Sequence, residues 1–222
     1  MPTILIIGAN RGLGLEFARQ YADDGWRVVA SVRDVKQAAD LKKTGVELHA
    51  CDVTDFRQIN TLAQALNGIM LDILLINAGV CPDFGGLADL KRDSFMNAMA
   101  VNALAPLQLA KVFLHHMTGP KIIAAISSKM GSMAENSSGG SFAYRASKAA
   151  LNMGFKSLSM APETKGMITV LLSPGWVRTD MGGPTAPLDA DSSIAGMRTV
   201  IAGLTPEDNG RFLHYDGTEI EW

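Results

Sequence analysis

A tyrosine and a lysine stand four residues apart in Tyr144-Arg145-Ala146-Ser147-Lys148, which begins a predicted helix. Residues at this spacing lie on one helix face, so the hydroxyl and the ammonium are expected to be neighbours. A phenol with a pKa near 10 exchanges protons poorly at neutral pH. Lowering that pKa to near 7 requires about 4 kcal/mol, which one positive charge about 4 Å away supplies at an effective dielectric constant near 20. The pair is therefore a candidate for acid–base catalysis, although surface helix pairs often share this spacing.

A glycine-rich turn, Gly8-Ala9-Asn10-Arg11-Gly12-Leu13-Gly14, links the first predicted strand to the first predicted helix. Glycines permit a tight turn and a close backbone approach, so that a diphosphate can bind the free N–H groups at the helix start. Turns of this kind also occur for purely steric reasons. In this context the turn predicts a dinucleotide site. Its expected members are Gly8, Asn10, Arg11, Gly12, Leu13 and Gly14.

Arg33 stands at the end of the second predicted strand, where an NAD-dependent protein usually offers a carboxylate to the ribose 2′-hydroxyl. A guanidinium instead suits a 2′-phosphate, which a carboxylate would repel. Arg11 is a second candidate for the same phosphate. We therefore expect a preference for NADP(H), with NAD(H) still possible. The alternatives are that Asp34 pairs with Arg33 and that each arginine is a solvated surface charge.

Seven short apolar segments recur along the chain, at residues 4–7, 27–32, 46–50, 73–76, 122–126, 168–172 and 212–215. Most are continuously apolar, which is typical of parallel strands covered on both faces. Between them lie amphipathic segments long enough for crossover helices, at 14–24, 55–66, 93–117 and 142–160. The pattern predicts an α/β fold, with one Rossmann-type doubly wound parallel sheet of about seven strands and helices on both faces. We expect a single domain over residues 1–222, with loops at 137–141 and 182–187.

Composition argues against several classes of function. The 222 residues include 20 Lys and Arg and 22 Asp and Glu, and the net charge of −2 offers no basic surface for nucleic acid. No stretch approaches the roughly 20 consecutive apolar residues of a membrane span, and no signal peptide is recognisable. Cys51 and Cys81 are too few for a disulfide framework or a zinc site. His115-His116 is expected to face solvent at a helix end with no carboxylate cluster nearby, so we expect no metal. Because the cysteines fit a reducing compartment and neither a signal peptide nor a membrane span is recognisable, we expect a cytoplasmic location.

The motifs, taken in order, resemble those of the short-chain dehydrogenase/reductase family. The turn has the spacing G-x-x-x-G-x-G, and the later matches are Asn77-Ala78-Gly79, Ser127-Ser128, Tyr144-x-x-x-Lys148 and Pro174-Gly175. The resemblance covers essentially the whole chain. Residues 174–181 and the ending Tyr215-Asp216-Gly217 look most like the C-factor and sniffer-type carbonyl reductase branch. Two features depart from the family pattern: Ile7 replaces a usual Thr, and a long interval before Tyr144 indicates a small insertion within 136–140.

The resemblance implies further site residues. Tyr144 would be the general acid/base, Lys148 its electrostatic partner and a ligand of the nicotinamide ribose, and Ser128, rather than Ser127, would hold the substrate oxygen. Asn102 would kink its helix and order a water connecting Lys148 to solvent, which would explain an asparagine inside a helix. The implied cofactor contacts beyond the turn and Arg33 are Asp52 and Val53 at the adenine, Asn77, Ala78 and Gly79, the catalytic Tyr144 and Lys148, and Pro174, Gly175, Val177 and Thr179.

These features indicate an NADP(H)-dependent oxidoreductase that interconverts a ketone or aldehyde and an alcohol by hydride transfer. The alternative is a C-factor-like, nucleotide-bound signalling or sensor protein with little turnover, which would need only the glycine turn. Loop 182–192 is expected to form a wall of the substrate pocket. Met130, Met133 and Met181 flank the catalytic segments and are candidates for an adaptable apolar pocket lining. Trp176 is either core packing or pocket wall, and Cys81 is assigned to packing. Apolar residues over much of segments 93–117 and 142–160 predict a homodimer or homotetramer.

Overall fold

The computed structural model describes residues 1–82, 85–117 and 121–222. The strands are β1 (Thr3–Ile7), β2 (Arg27–Val32), β3 (Glu47–Ala50), β4 (Ile73–Ile76), β5 (Ile122–Ile126), β6 (Ile168–Ser173) and β7 (Phe212–His214). The α-helices are α1 (Gly12–Asp23), α2 (Ala39–Lys43), α3 (Phe56–Ala65), α4 (Arg92–Met99), α5 (Ala105–Phe113), α6 (Phe142–Ser159) and α7 (Ala190–Gly203). All seven predicted strands form within one residue of their predicted bounds.

The seven strands form one parallel sheet in the order β3-β2-β1-β4-β5-β6-β7. The chain builds outward from β1 to β3 and then returns to place β4 on the other side of β1. Ile7 lies level with Ser31 of β2 and with Ile76 of β4. In open α/β sheets, ligands bind at the carboxyl ends of the strands where the strand order reverses. The doubly wound α/β prediction is confirmed, and the reversal at β1 and β4 marks the place of the site.

Both faces of the sheet are buried, which explains the continuously apolar strands. Leu5 and Ile7 of β1 belong to the core cluster that includes Phe113 of α5 and Phe155 of α6. The alternate residues Ile4 and Ile6 belong to the second cluster, with Phe17 of α1 and Met197 of α7. Helices thus pack on each side and hold the strand ends in register.

The helices differ from the predicted segments at three places. Segment 93–117 is helical, but a π-helical turn, Ala100–Leu104, separates α4 from α5. The five-residue α2 and the longer α7 were not predicted. Because α7 begins at Ala190, the predicted loop 182–192 ends three residues earlier than expected. Residues 137–141 and 182–187 lie outside the helices, as predicted.

The helical stretch Arg92–His116 is long and apolar enough to cross a membrane, with a mean hydropathy of 1.2. Half of it is buried within the domain, and α4 and the π-helical turn pack against α6. The stretch therefore has the surroundings of a core helix. At its end His115 is exposed, whereas His116 is buried with Nδ1 3.1 Å from the carbonyl oxygen of Ile69. The solvent-facing prediction is wrong for His116, because that ring packs beside Phe113.

Candidate active site

The carboxyl ends of β1, β4, β5 and β6 meet at one edge of the sheet and bring the predicted motifs together. Gly8 follows β1, Asn77 follows β4, Ser127 follows β5 and Pro174 follows β6. A cleft of about 280 Å³ opens at this edge. It is lined by Arg11, Gly79, Val80, Cys81, Asp180 and Met181. The glycine turn and the segment after β6 therefore face each other across the cleft.

Tyr144 and Lys148 lie one turn apart near the start of α6, as their spacing predicts. Both side chains are buried. Lys148 Nζ lies 5.8 Å from the centre of the Tyr144 ring and donates a hydrogen bond of 2.8 Å to the carbonyl oxygen of Ile126. The end of β5 thus fixes the ammonium beside the tyrosine.

Burial shifts the pKa values of these two groups in opposite directions, because it disfavours the charged form of each. It raises the pKa of Tyr144 to about 12 and lowers the pKa of Lys148 to about 8. Cys81 raises both pKa values, and a hydrogen bond with Ser128 lowers the pKa of Tyr144 without offsetting burial. The expected lowering of the tyrosine pKa is not observed. Tyr144 is therefore present in its protonated, donor form at neutral pH, but it is a weaker acid than the spacing predicts.

The two serines after β5 have different surroundings. The hydroxyl of Ser127 is buried and donates to Asn152 Oδ1 at 2.6 Å. Ser128 is half-buried, accepts a hydrogen bond from the N–H of Met130 at 3.2 Å, and is hydrogen-bonded to Tyr144. Ser127 therefore ties β5 to α6, whereas Ser128 belongs to the tyrosine's surroundings.

Asn102 is completely buried within the π-helical turn between α4 and α5. Its Nδ2 donates to the carbonyl oxygen of Val80 at 2.8 Å and to Ser147 Oγ at 2.9 Å, and its Oδ1 accepts from the N–H of Val80 at 2.8 Å. A Cβ atom on Gly79 would lie 3.4 Å from Asn102 Oδ1 and 3.6 Å from Lys148 Nζ. The predicted irregularity in this helix thus coincides with a side chain that clamps the cleft segment after β4.

The glycine turn is too tightly packed for larger residues at two positions. A Cβ atom on Gly14 would lie 2.2 Å from the carbonyl oxygen of Gly8, and one on Gly8 would lie 2.7 Å from Ala78 Cα. Asn77 Nδ2 donates to the carbonyl oxygen of Gly8 at 2.7 Å and so joins the turn to the end of β4. Arg11 precedes α1 without a side-chain cap. The backbone at the start of α1 can therefore approach an anion closely.

Two buried polar atoms beside this turn lack a partner among the described residues: Asn10 Oδ1 and Ser31 Oγ. The carbonyl oxygen of Ser31 accepts hydrogen bonds of 3.0 Å from the N–H groups of Gly8 and Ala9, so β2 supports the turn directly. Buried polar atoms are normally paired, and a polar ligand in the turn would supply the missing partners. The residues present thus fit a dinucleotide.

The two arginines expected at the 2′-phosphate differ in whether they form an ion pair within the described residues. Arg33 is exposed and makes no ion pair within the described ranges. Asp34 instead caps the following turn, accepting from the N–H of Lys36 at 2.9 Å, so the alternative of an Arg33–Asp34 pair is not observed. Arg11 Nη1 pairs with Asp180 Oδ2 at 2.6 Å. Arg33 is thus available to a phosphate, whereas Arg11 is engaged.

The other predicted cofactor residues occupy the same edge of the sheet. Asp52 follows β3, where its carboxylate accepts from the N–H and hydroxyl of Thr54 at 2.9 and 2.7 Å. The carbonyl oxygen of Pro174 accepts from Ser193 Oγ at 2.7 Å. A Cβ atom on Gly12 would lie 3.4 Å from the methyl group of Thr179, so the segment after β6 rests on the glycine turn. Of the remaining predicted residues, Leu13 is half-buried, and Val53 and Val177 are buried. Gly175 has a φ of 80°.

Sequence reasoning missed three residues of the cleft region. Cys81, assigned to packing, is half-exposed in the cleft and interacts electrostatically with Tyr144 and Lys148. Arg178 and Asp180 stabilise the segment after β6 and its contact with the glycine turn. Cys81 had a positional signal, four residues past Asn77, but the partners of Arg178 and Asp180 are set by the tertiary fold.

The apolar residues predicted to line the pocket differ in their exposure. Trp176 is 57% exposed and donates from Nε1 to the carbonyl oxygen of Gly182 at 2.7 Å, so it is not core packing. Met181 lines the cleft, Met130 is half-buried and Met133 is exposed. Among the residues whose positions are described, no group of three or more His, Cys, Asp or Glu residues could hold a metal ion.

Comparison with known proteins identifies the family. Residues 2–188 match the family model for short chain dehydrogenase. The chain is 46% identical over 154 residues to the C-signal protein of Myxococcus xanthus, covering 68% of this chain and 93% of that protein. A short-chain dehydrogenase/reductase from Burkholderia multivorans with bound NADP has a TM-score of 0.91 at 35% identity, covering 100% of this chain and 99% of the other. Carbonyl reductase Sniffer of D. melanogaster has a TM-score of 0.92 at 31% identity, with 100% of both chains covered. The resemblance to the C-factor and sniffer-type branch is confirmed, and the chain belongs to the short-chain dehydrogenase family of oxidoreductases.

Proposed function

We propose that the protein reduces a ketone or aldehyde to an alcohol with NADPH and catalyses the reverse reaction with NADP⁺. The observation that carries this proposal is the convergence of buried Tyr144 with Lys148 and Ser128 at the edge of the sheet that carries the glycine turn. A nucleotide-binding domain without redox chemistry has no need of that group.

Different residues of the chain would bind different parts of the cofactor. The glycine turn would hold the diphosphate, and Arg33 would bind the 2′-phosphate that distinguishes NADP(H) from NAD(H). Asn10 Oδ1 and Ser31 Oγ offer acceptor and hydroxyl groups that are unpaired within the described residues. When bound in this position, the cofactor would supply the hydride for reduction of the carbonyl carbon. The Burkholderia relative contains NADP, which supports this choice of cofactor.

Tyr144 would donate its proton to the carbonyl oxygen as negative charge develops there, and Ser128 would hydrogen-bond the same oxygen. The O–H bond of Tyr144 breaks and that of the alcohol forms, which leaves a tyrosinate. The Lys148 ammonium lies close enough to stabilise this anion. Reprotonation through a water ordered near Asn102 would restore the tyrosine.

A nucleotide-bound sensor remains the alternative function, since one relative is named C-signal. A sensor needs the glycine turn but not the convergence of Ser128, Tyr144 and Lys148. The test is NADPH consumption across a panel of ketones and aldehydes by wild type and Tyr144→Phe. We expect wild-type turnover, and a loss of at least 10² to 10⁴-fold in the variant with folding and NADPH binding retained. An inactive wild type that still bound NADPH would favour the sensor, and near-normal turnover of Tyr144→Phe would refute the assigned proton donor.

We also propose that the protein self-associates through α4 to α6. The large apolar side chains of Met96, Leu104 and Met153 are 55%, 54% and 65% exposed on these helices and the turn between them. Pairing of two copies by a two-fold axis would cover them. The exposed apolar side chains thus support the proposal of a dimer or tetramer.

A further inference from the structure

Residues 176–189, called the 176–189 loop below, have a closed base just after β6. The N–H of Arg178 donates to the carbonyl oxygen of Leu188 at 2.8 Å, and the N–H of Leu188 donates to that of Trp176 at 3.3 Å. The Arg178 guanidinium adds hydrogen bonds to the carbonyl oxygens of Ala186 and Pro187, at 2.9 and 2.8 Å. The two ends of the loop are thus held together by side-chain and backbone bonds.

The tip of the 176–189 loop is also ordered by its own contacts. The N–H groups of Gly182 and Gly183 donate to the side-chain and backbone oxygens of Thr179, at 3.1 and 2.8 Å. Trp176 Nε1 donates to the carbonyl oxygen of Gly182 at 2.7 Å. The methyl group of Thr179 lies against Gly12. This arrangement carries the next residue, Asp180, over the glycine turn.

Asp180 meets Arg11 at this point. The Arg11 Nη1 to Asp180 Oδ2 distance is 2.6 Å, both side chains are 73% exposed, and both residues line the cleft. The two residues are 169 positions apart in sequence, so only the placement of the 176–189 loop joins them. Arg11 is thereby neutralised locally, while Arg33 makes no ion pair within the described part of the chain.

We propose that Asp180 is a positioning residue that sets cofactor discrimination through Arg11. While its guanidinium is bound to Asp180, Arg11 contributes little to the 2′-phosphate, and Arg33 carries most of the preference for NADP(H). Removing the carboxylate frees Arg11 to turn toward the added phosphate, to which a guanidinium binds by charge-assisted hydrogen bonds. The inference rests on the proposed NADP(H) specificity and adds to it a residue that limits that specificity.

The expected effect is modest, because exposed ion pairs are weak. We define discrimination as the Kd for NADH divided by the Kd for NADPH. Asp180→Asn keeps the side-chain size and removes the charge, and it should raise discrimination about two- to five-fold. The increase should diminish with added salt, since the phosphate interaction is exposed.

The experiment measures both Kd values by titration calorimetry for wild type, Asp180→Asn, Arg11→Ala and the double variant. Glu163→Gln is the control for net charge, since Glu163 is exposed in the turn Pro162–Thr164, before β6 and thus at the opposite edge of the sheet. We expect higher discrimination in Asp180→Asn and no change between Arg11→Ala and the double variant. The control should match wild type.

Three results would overturn the inference. Unchanged discrimination in Asp180→Asn means that Arg11 is not restrained by its partner. An equal rise in the Arg11→Ala background means that Asp180 acts by its field alone. An equal loss of affinity for both cofactors means that the ion pair clamps the shared part of the dinucleotide. If wild type binds NADPH no more tightly than NADH, the proposed cofactor preference fails first and the inference fails with it.

Discussion

Replacing Lys148 by methionine removes one buried positive charge and keeps an unbranched side chain of similar length. The ammonium lies 5.8 Å from the centre of the Tyr144 ring, and the proposed reaction leaves a negative charge on the phenolate oxygen of that residue. Since Lys148 is 4% exposed and Met is apolar, the substitution should leave the chain folded, although it removes the hydrogen bond to the carbonyl oxygen of Ile126. We expect Lys148→Met to fold, to bind NADPH more weakly and to lose turnover.

The size of the loss follows from Coulomb's law. If the 5.8 Å from Nζ to the ring centre is taken as the charge separation, two unit charges interact by about 3 kcal/mol at an effective dielectric constant near 20, which corresponds to about 10² in rate. Moving a tyrosine pKa from about 12 to neutrality would require about 7 kcal/mol, so a single ammonium supplies less than half. Alcohol oxidation, which needs the tyrosinate at the outset, should therefore depend more strongly on alkaline pH than carbonyl reduction does.

The pH profile provides a second readout. Tyr144 is protonated up to a pKa of about 12, whereas Lys148 loses its proton near its pKa of about 8. For carbonyl reduction, kcat/KM for NADPH reports the groups of the free enzyme, so it should fall as pH rises through about 8. Lys148→Met should lack this decrease, because the titrating group is gone. Stopped-flow traces of NADPH oxidation would separate hydride transfer from product release.

Lys156→Met is the matched control, because Lys156 lies on the same helix but bonds to the carbonyl oxygen of Gly210 and contacts Trp222. It should retain wild-type pH dependence and turnover. The electrostatic reasoning is refuted if Lys148→Met, folded and saturated with NADPH, keeps turnover within a few-fold of wild type. It is equally refuted if the variant keeps the alkaline decrease near pH 8.

Three further predictions concern the cofactor, the fold and assembly. Arg33→Ala should weaken NADPH binding far more than NADH binding in fluorescence titrations, and equal losses would contradict the proposed phosphate contact. Asn102→Ala leaves the N–H and carbonyl groups of Val80 unpaired, so urea denaturation should show a loss of about 2 to 4 kcal/mol; exposed Asn67→Ala should show almost none. Light scattering at micromolar concentration should give at least twice the mass of one chain, reduced by Met153→Lys on the exposed face of α6; a monomeric wild type would exclude self-association.

The main elements could be predicted because their physical causes are local. Parallel strands buried on both faces must be continuously apolar, and this requirement is visible in segments such as 73–76 and 122–126. Helix α7 has a weaker signal, since it contains Ser, Thr and two Gly residues, and α2 is only five residues long. Their formation depends on packing against the sheet or neighbouring helices more than on local preference.

In the candidate site, too, some features could be predicted from the sequence and others required the tertiary structure. The spacing of Tyr144 and Lys148 on one helix, the glycine turn and the position of each motif after a strand are properties of sequence, because helix periodicity and strand ends define them. The pKa of Tyr144 is not such a property, since burial raises it to about 12 despite the nearby lysine. Asn102 and Val80, or Arg11 and Asp180, come together only when the sheet order is set. Charge, burial and long-range partners therefore required the tertiary structure, because they depend on which segments the fold places in contact.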